Sequence, residues 1–127
     1  MKNKLNIREM NKSDVFKVKS VIDDNQMFPS EYLDEMTSGY FEQETQEMWF
    51  VVEHKEAGVI AVAFCSPERM TEGTWNLLLI AAFRQFQGSG IGSELMSFTE
   101  DKLKKLSVRV LLVETSGLPE YILTRDF

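Results

Sequence analysis

Arg84-Gln85-Phe86-Gln87-Gly88-Ser89-Gly90-Ile91-Gly92-Ser93 sets three glycines at alternate positions between an apolar run, Leu77 to Ala82, and an amphipathic run, Ile91 to Leu106. The first run reads as a strand and the second carries apolar residues at helical spacing, so the glycines fall where a strand hands over to a helix. Glycine reaches φ > 0 without a Cβ clash. Successive N–H groups can then turn toward one point, and the start of the helix adds its partial positive charge. The stretch is built to receive an anionic group such as a phosphate.

Spacing chooses among the loops that share this logic. A P-loop places Lys directly after its second defining glycine, and none stands here. A dinucleotide fingerprint follows the first strand of a βαβ unit, whereas these glycines come two thirds of the way along the chain. The stretch resembles instead the pyrophosphate loop of GNAT-type N-acetyltransferases: Gln or Arg, two residues, Gly, one residue, then Gly or Ala. Gln87, Gly90 and Gly92 fill that pattern in order, with Gly88 as an extra glycine.

The chain of 127 residues reads as one domain, 1–127, with 43% hydrophobic and 27% charged residues, the balance of an ordinary globular protein. No apolar run approaches the roughly 20 residues of a membrane-spanning helix. Met1-Lys2-Asn3-Lys4 leads into a strand rather than an apolar signal core, so the expectation is a cytoplasmic protein with no membrane partner. Cys65 is the one cysteine, which excludes an internal disulfide and a cysteine-based metal site; no metal is expected. The net charge of −6 argues against a nucleic-acid partner.

Leu5, Ile7 and Met10 mark a first strand, and Ser13 reads as the N-cap of a helix carrying Val15, Val18 and Ile22. Phe28-Pro29-Ser30 breaks that helix and starts a second, from Ser30 to about Glu42. Met48 to His54 and Val59 to Cys65 form a hairpin turned by Lys55-Glu56-Ala57-Gly58. Both strands are apolar on both faces, which places them at the centre of a sheet covered by helices. His54 reads as a surface residue and Cys65 as a buried structural one. Leu77 to Ala82 is the next strand. The helix after the glycines presents Leu95, Phe98 and Leu103 on one face, and Val108 to Val113 is a further strand. A loop over Glu114 to Glu120 follows, and Tyr121 to Phe127 reads as the opening of a helix.

The resemblance to GNAT acetyltransferases covers nearly the whole chain, through Met48–Cys65, Glu72-Gly73-Thr74-Trp75-Asn76, the Gln87–Ser93 loop, Val113-Glu114-Thr115-Ser116-Gly117 and Thr124-Arg125-Asp126-Phe127. It implies an α/β fold with a mixed, mostly antiparallel sheet flanked by helices and splayed between the strand ending at Ala82 and the one ending at Glu114. Acetyl-coenzyme A would enter that V. Ile80, Ala81 and Ala82 would bond its pantetheine arm, and the N–H groups of Gly88, Ser89, Gly90, Ile91, Gly92 and Ser93, with Gln87, would hold the pyrophosphate. The implied reaction is attack of a primary amine of a small molecule or peptide on the thioester. Asn76 stands where some relatives place a glutamate base, and Glu72 would act through a water.

Relatives of this kind continue past the position of Phe127 to a Tyr that protonates the thiolate, so the resemblance reads the domain as incomplete, with the last strands missing. That reading leaves Leu111, Leu112 and Val113 on an unpaired edge, and a homodimer is expected to cover it. Two alternatives stand beside the enzyme: a module that binds coenzyme A with impaired catalysis, and a non-catalytic dimerisation fragment.

Overall fold

A computed structural model of the chain describes the backbone of residues 5–68, 72–114 and 122–126, with side chains as far as Leu112. The strands are β1 (Leu5–Glu9), β2 (Met48–His54), β3 (Gly58–Pro67), β4 (Thr74–Ala82), β5 (Val110–Glu114) and β6 (Ile122–Asp126), and the helices are α1 (Val15–Asn25), α2 (Leu33–Phe41) and α3 (Ile91–Lys105). All six strands form one sheet in sequence order. Neighbours are antiparallel except β4 and β5, which run parallel because α3 carries the chain back between them.

Alternation along the central strands divides the core in two. Phe50, Val52, Ala61, Ala63 and Cys65 face α3, where they meet Leu95 and Leu103. Trp49, Val51, Val62 and Phe64 face the other way, onto Val18 and Ile22 of α1 and Leu33 of α2. The double-sided apolar pattern of the hairpin therefore has the predicted cause: helices cover both faces.

The entry to α1 differs from the sequence expectation. A short 3-10 turn, Lys12–Asp14, capped by Asn11, precedes the helix, and Asp14 rather than Ser13 stands at the N-cap of α1. The buried Asp14 side chain accepts from the Asn11 N–H at 2.8 Å and takes two bonds from the Arg8 guanidinium at 2.7 and 2.9 Å. Burial alone would raise the Asp14 carboxyl, but the Arg8 hydrogen bonds, the Asn11 N–H and the Arg8 charge together hold it below its ordinary value. A carboxylate with a depressed folded pKa stabilises above its unfolded value near 3.9, and that contribution is lost as pH falls through the lower, folded value. Asp14→Ala is accordingly expected to cost about 2–3 kcal/mol at pH 7, since it leaves the guanidinium and the cap without their acceptor. The cost should shrink as the pH falls from 7 through the lowered folded value of Asp14, which urea unfolding of both proteins over a descending pH series measures.

Two features of β4 create the fork that the resemblance implied. Its ladder with β5 runs from Thr74↔Val110 to Leu77↔Val113 and stops, although β4 continues five residues to Ala82. At the same point its register with β3 steps from Cys65↔Leu77 to Phe64↔Leu79, which makes Leu78 the extra residue of a β-bulge. The bulge resets the alternation: Trp75 and Leu77 face α3, while Leu79 and Ala81 face α1 and α2.

The end of the sheet corrects the sequence reading. Residues 122–126, expected to open a helix, form β6, antiparallel to β5 from Glu114↔Ile122 to Val110↔Asp126. Two helical turns are too short to persist on their own, and Ile122, Leu123 and Thr124 suit a strand once β5 offers backbone partners. The β5 edge is therefore paired within the chain, and the expected homodimer loses the open edge on which it rested. Glu114, expected to open a loop, ends β5; the rest of that expected loop lies in residues 115–121, which with Phe127 are outside the described residues.

Candidate functional site

The glycine loop follows from its sequence directly. Gly88 and Gly90 take φ of +85° and +87°, and a Cβ at Gly88, Gly90 or Gly92 would meet nothing within 4 Å. Gly90 caps α3, and the first bond closing the helix is Glu94 N–H to the Gly90 carbonyl at 3.0 Å. The N–H groups of Ile91, Gly92 and Ser93 thus belong to the helix start, where intrahelical acceptors run out and the helix dipole is positive. Open space over the glycines lets a ligand reach the backbone itself.

A cleft of about 470 Å³ opens between this loop and the free end of β4. Ile80, Ala81 and Ala82 form one wall with Ala61, and Gln87, Gly88, Ile91, Gly92 and Leu95 form the other. Asn25 and Met27, at the end of α1 and just beyond it, close the rim. Seven of the residues expected at the coenzyme, Ile80, Ala81, Ala82, Gln87, Gly88, Ile91 and Gly92, are thereby brought to one cavity. The other three, Ser89, Gly90 and Ser93, are not among its lining residues: the Ser89 hydroxyl donates back to the Phe86 carbonyl, Gly90 caps α3, and Ser93 faces a second depression with Met96 and Glu100.

Glu72 and Asn76, the residues expected to do proton chemistry, do not line this cleft. Glu72 precedes β4, roughly 25 Å of extended chain from Ile80, and borders a different depression with Gly73, Lys104 and Arg109. Asn76 donates to the Glu68 carboxylate at 2.9 Å on the strand before the fork. The geometry gives neither residue a place beside the cavity.

Cys65 keeps the buried structural role read from the sequence, whereas His54, read as a surface residue, is half-buried and structural. The His54 Nδ1 accepts from the Glu56 and Ala57 N–H groups, both at 3.1 Å, and so holds the β2–β3 turn. Burial pushes the Cys65 thiol up to about 12, which keeps it protonated and unsuited to carry an acyl group.

Asn25 is the residue that the sequence reading missed. Its side chain reaches Ala82 and Gln87 across separations of 57 and 62 residues, so no local pattern marks it.

Comparison with known proteins follows from this geometry. A GNAT-family protein from Desulfovibrio desulfuricans superimposes with a TM-score of 0.78 at 23% identity, over 92% of this chain and 76% of its own. A GNAT family acetyltransferase from Brucella melitensis, solved with acetyl-CoA, matches with a TM-score of 0.74 at 17% identity, covering 97% of this chain and 88% of that one. The ribosomal-protein-S18-alanine N-acetyltransferase of Escherichia coli gives 0.70 at 19% identity, over 91% of this chain and 71% of its own. At these identities the likeness is one of fold. No curated protein matches the sequence. Residues 18–119 match the sequence model of the acetyltransferase (GNAT) family, and the chain belongs to that family.

Proposed function

We propose that this protein is an acetyl-coenzyme A-dependent N-acetyltransferase that acts on a primary amine of a small molecule or peptide. The observation that carries the reading is the fork itself: β5 leaves β4 after Leu77, and the backbone edge so exposed leads along one wall of a cleft whose other wall is the glycine loop. A pantetheine arm would lie along Ile80 to Ala82 as an added strand, and the pyrophosphate would sit at the N–H groups from Gly88 to Ser93. The Brucella melitensis protein of similar fold was solved in complex with acetyl-CoA, which supports acetyl-coenzyme A as the cosubstrate.

The thioester would then approach the bulge at Leu78, a residue 49% exposed, whose backbone is released from regular pairing with β3. A backbone N–H there supplies the donor that a developing oxyanion needs. The amine nitrogen attacks the carbonyl carbon, the C–N bond forms, the C–S bond breaks, and the proton lost by nitrogen balances the thiolate released. Glu72 and Asn76 are not assigned the proton transfers: Glu72 borders the depression beyond the start of β4, and the Asn76 amide is a donor to the Glu68 carboxylate.

That same placement favours the second reading, a module that binds coenzyme A without turnover. Thiol release from acetyl-coenzyme A with a panel of primary amines decides between them. Release that depends on an amine is the expected result. Tight coenzyme binding with no release above the buffer rate for any amine would establish the second reading instead.

A further inference from the structure

Asn25 ends α1 with every polar atom of its side chain engaged. Its Nδ2 donates to the Val21 carbonyl, one turn back, at 2.9 Å and to the Ala82 carbonyl at 2.8 Å. Its Oδ1 accepts from the Gln87 Nε2 at 2.9 Å, and that Nε2 also donates to the Ala82 carbonyl, at 3.0 Å. Two amide side chains, one from α1 and one from the glycine loop, thus converge on one carbonyl and fill both of its lone pairs. The neighbouring Asp24 carboxylate accepts from the Arg84 N–H at 2.7 Å, a second tie between the helix end and the loop.

The direction of that carbonyl gives the network its meaning. The Phe83 N–H donates to the Ile60 carbonyl on the β3 side. In an antiparallel ladder successive residues point their N–H and C=O groups to opposite edges, so Ala82 and Ile80 present theirs to the edge that β5 has left. The Ala82 carbonyl is the last acceptor on this edge, and the protein keeps it for itself. The groups left for a ligand strand are the Ile80 N–H and C=O and the Ala82 N–H.

Building on the acetyl-coenzyme A reading, we propose that Asn25 is a positioning residue for the coenzyme. With Gln87 it occupies the Ala82 carbonyl, fixes where an incoming pantetheine arm stops pairing with β4, and anchors the glycine loop at the turn toward the pyrophosphate. The residues after Asn25 carry the link onward: Gln26 takes a left-handed conformation, φ +52°, and Met27 lines the same cleft.

Calorimetric titration with coenzyme A of the wild type, Asn25→Ala, Gln87→Ala and the double variant tests this, with thermal unfolding of each as a control. Each single change is expected to weaken binding about five- to tenfold, the worth of one positioning hydrogen bond. The double variant should weaken binding by less than the product of the two factors, because both side chains serve one carbonyl. A residue that merely stabilises the fold would not produce that coupling. Asn25→Asp, which keeps the size of the side chain but cannot donate to the Ala82 carbonyl, should behave like Asn25→Ala and carries the test if the alanine variant does not fold. In turnover, the KM for acetyl-coenzyme A should rise while kcat and the KM for the amine stay within about twofold, the signature of lost uniform binding. Wild-type affinity in Asn25→Ala, or single effects that multiply independently, would overturn the inference and leave the coenzyme site standing. A wild type that binds no coenzyme A would overturn both.

Discussion

Replacing Gly90 by Val is expected to weaken acetyl-coenzyme A binding by about tenfold or more while the protein still folds. The residue holds φ at +87°, a region that a β-branched side chain enters only with strain of about 1–3 kcal/mol. A Cβ there meets no protein atom within 4 Å, so nothing inside the fold is struck; the added branches occupy the space through which a ligand reaches the backbone. Gly92→Ala separates the two causes. Gly92 lies in the first turn of α3 and does not share the left-handed φ, so alanine favours the helix by about 1 kcal/mol. Its methyl nevertheless meets no protein atom within 4 Å and stands at a residue that lines the cleft. Stability should therefore fall in Gly90→Val and hold or rise in Gly92→Ala, while affinity falls in both. Calorimetry with acetyl-coenzyme A alongside urea unfolding reads the two quantities separately. Undiminished affinity in Gly90→Val would remove the glycine loop from the site.

The largest effect on stability is expected at Leu95. Its side chain is fully buried between α3 and the sheet, and it also floors the inner end of the cleft. Ile91, Leu95, Thr99 and Leu103 recur every four residues as the buried stripe of α3, and the Thr99 hydroxyl donates to the Leu95 carbonyl at 2.9 Å to satisfy its own burial. Leu95→Ala removes the largest contact of that stripe at the level of the glycine loop. The expected cost is about 2–5 kcal/mol, the range for truncating a fully buried leucine into a partly relaxing cavity. Denaturant unfolding should show a lowered midpoint with an unchanged slope. A cost under about 0.5 kcal/mol, the size of a surface substitution, would mean that α3 does not seal the α3 side of the core as described.

What could be read from the sequence was whatever local pattern encodes. The glycine spacing of Gly88, Gly90 and Gly92 placed the loop, apolar residues on both faces of Met48–His54 and Val59–Cys65 placed a central hairpin, and helical spacing placed α3. Features that depend on distant partners were not legible. Leu77 to Ala82 is an unbroken apolar run with no alternation to show where a bulge falls, so Leu78 is identified by its register against Phe64 and Cys65. Ser13 was a sound cap by local preference. The Arg8–Asp14 pair, joined across the end of β1, accompanies a 3-10 turn capped by Asn11, and Asp14 itself stands at the N-cap of α1. The stretch from Ile122 carried a weak helical pattern that pairing with β5 overrode. Asn25 carried no pattern at all, because its partners lie 57 and 62 residues away.

Glu72 shows how far a strand separates residues that are close in sequence. A carboxylate a few residues ahead of an apolar strand is close to the site in sequence, but an extended strand carries it away by about 3.3 Å per residue. The strand then delivers its C-terminal end, not its start, to the cleft. Sequence proximity along β4 is therefore the wrong guide to proximity in space.

Titration of acetyl-coenzyme A into isotope-labelled protein, followed by backbone amide chemical shifts, tests the central claim most directly. The account predicts saturable shifts largest at Gly88, Gly90, Ile91 and Gly92 and at the open-edge amides of Ile80 and Ala82, with little change at Gly73 and Arg109. Shifts centred on the Glu72–Arg109 depression, or none at saturating coenzyme, would contradict it.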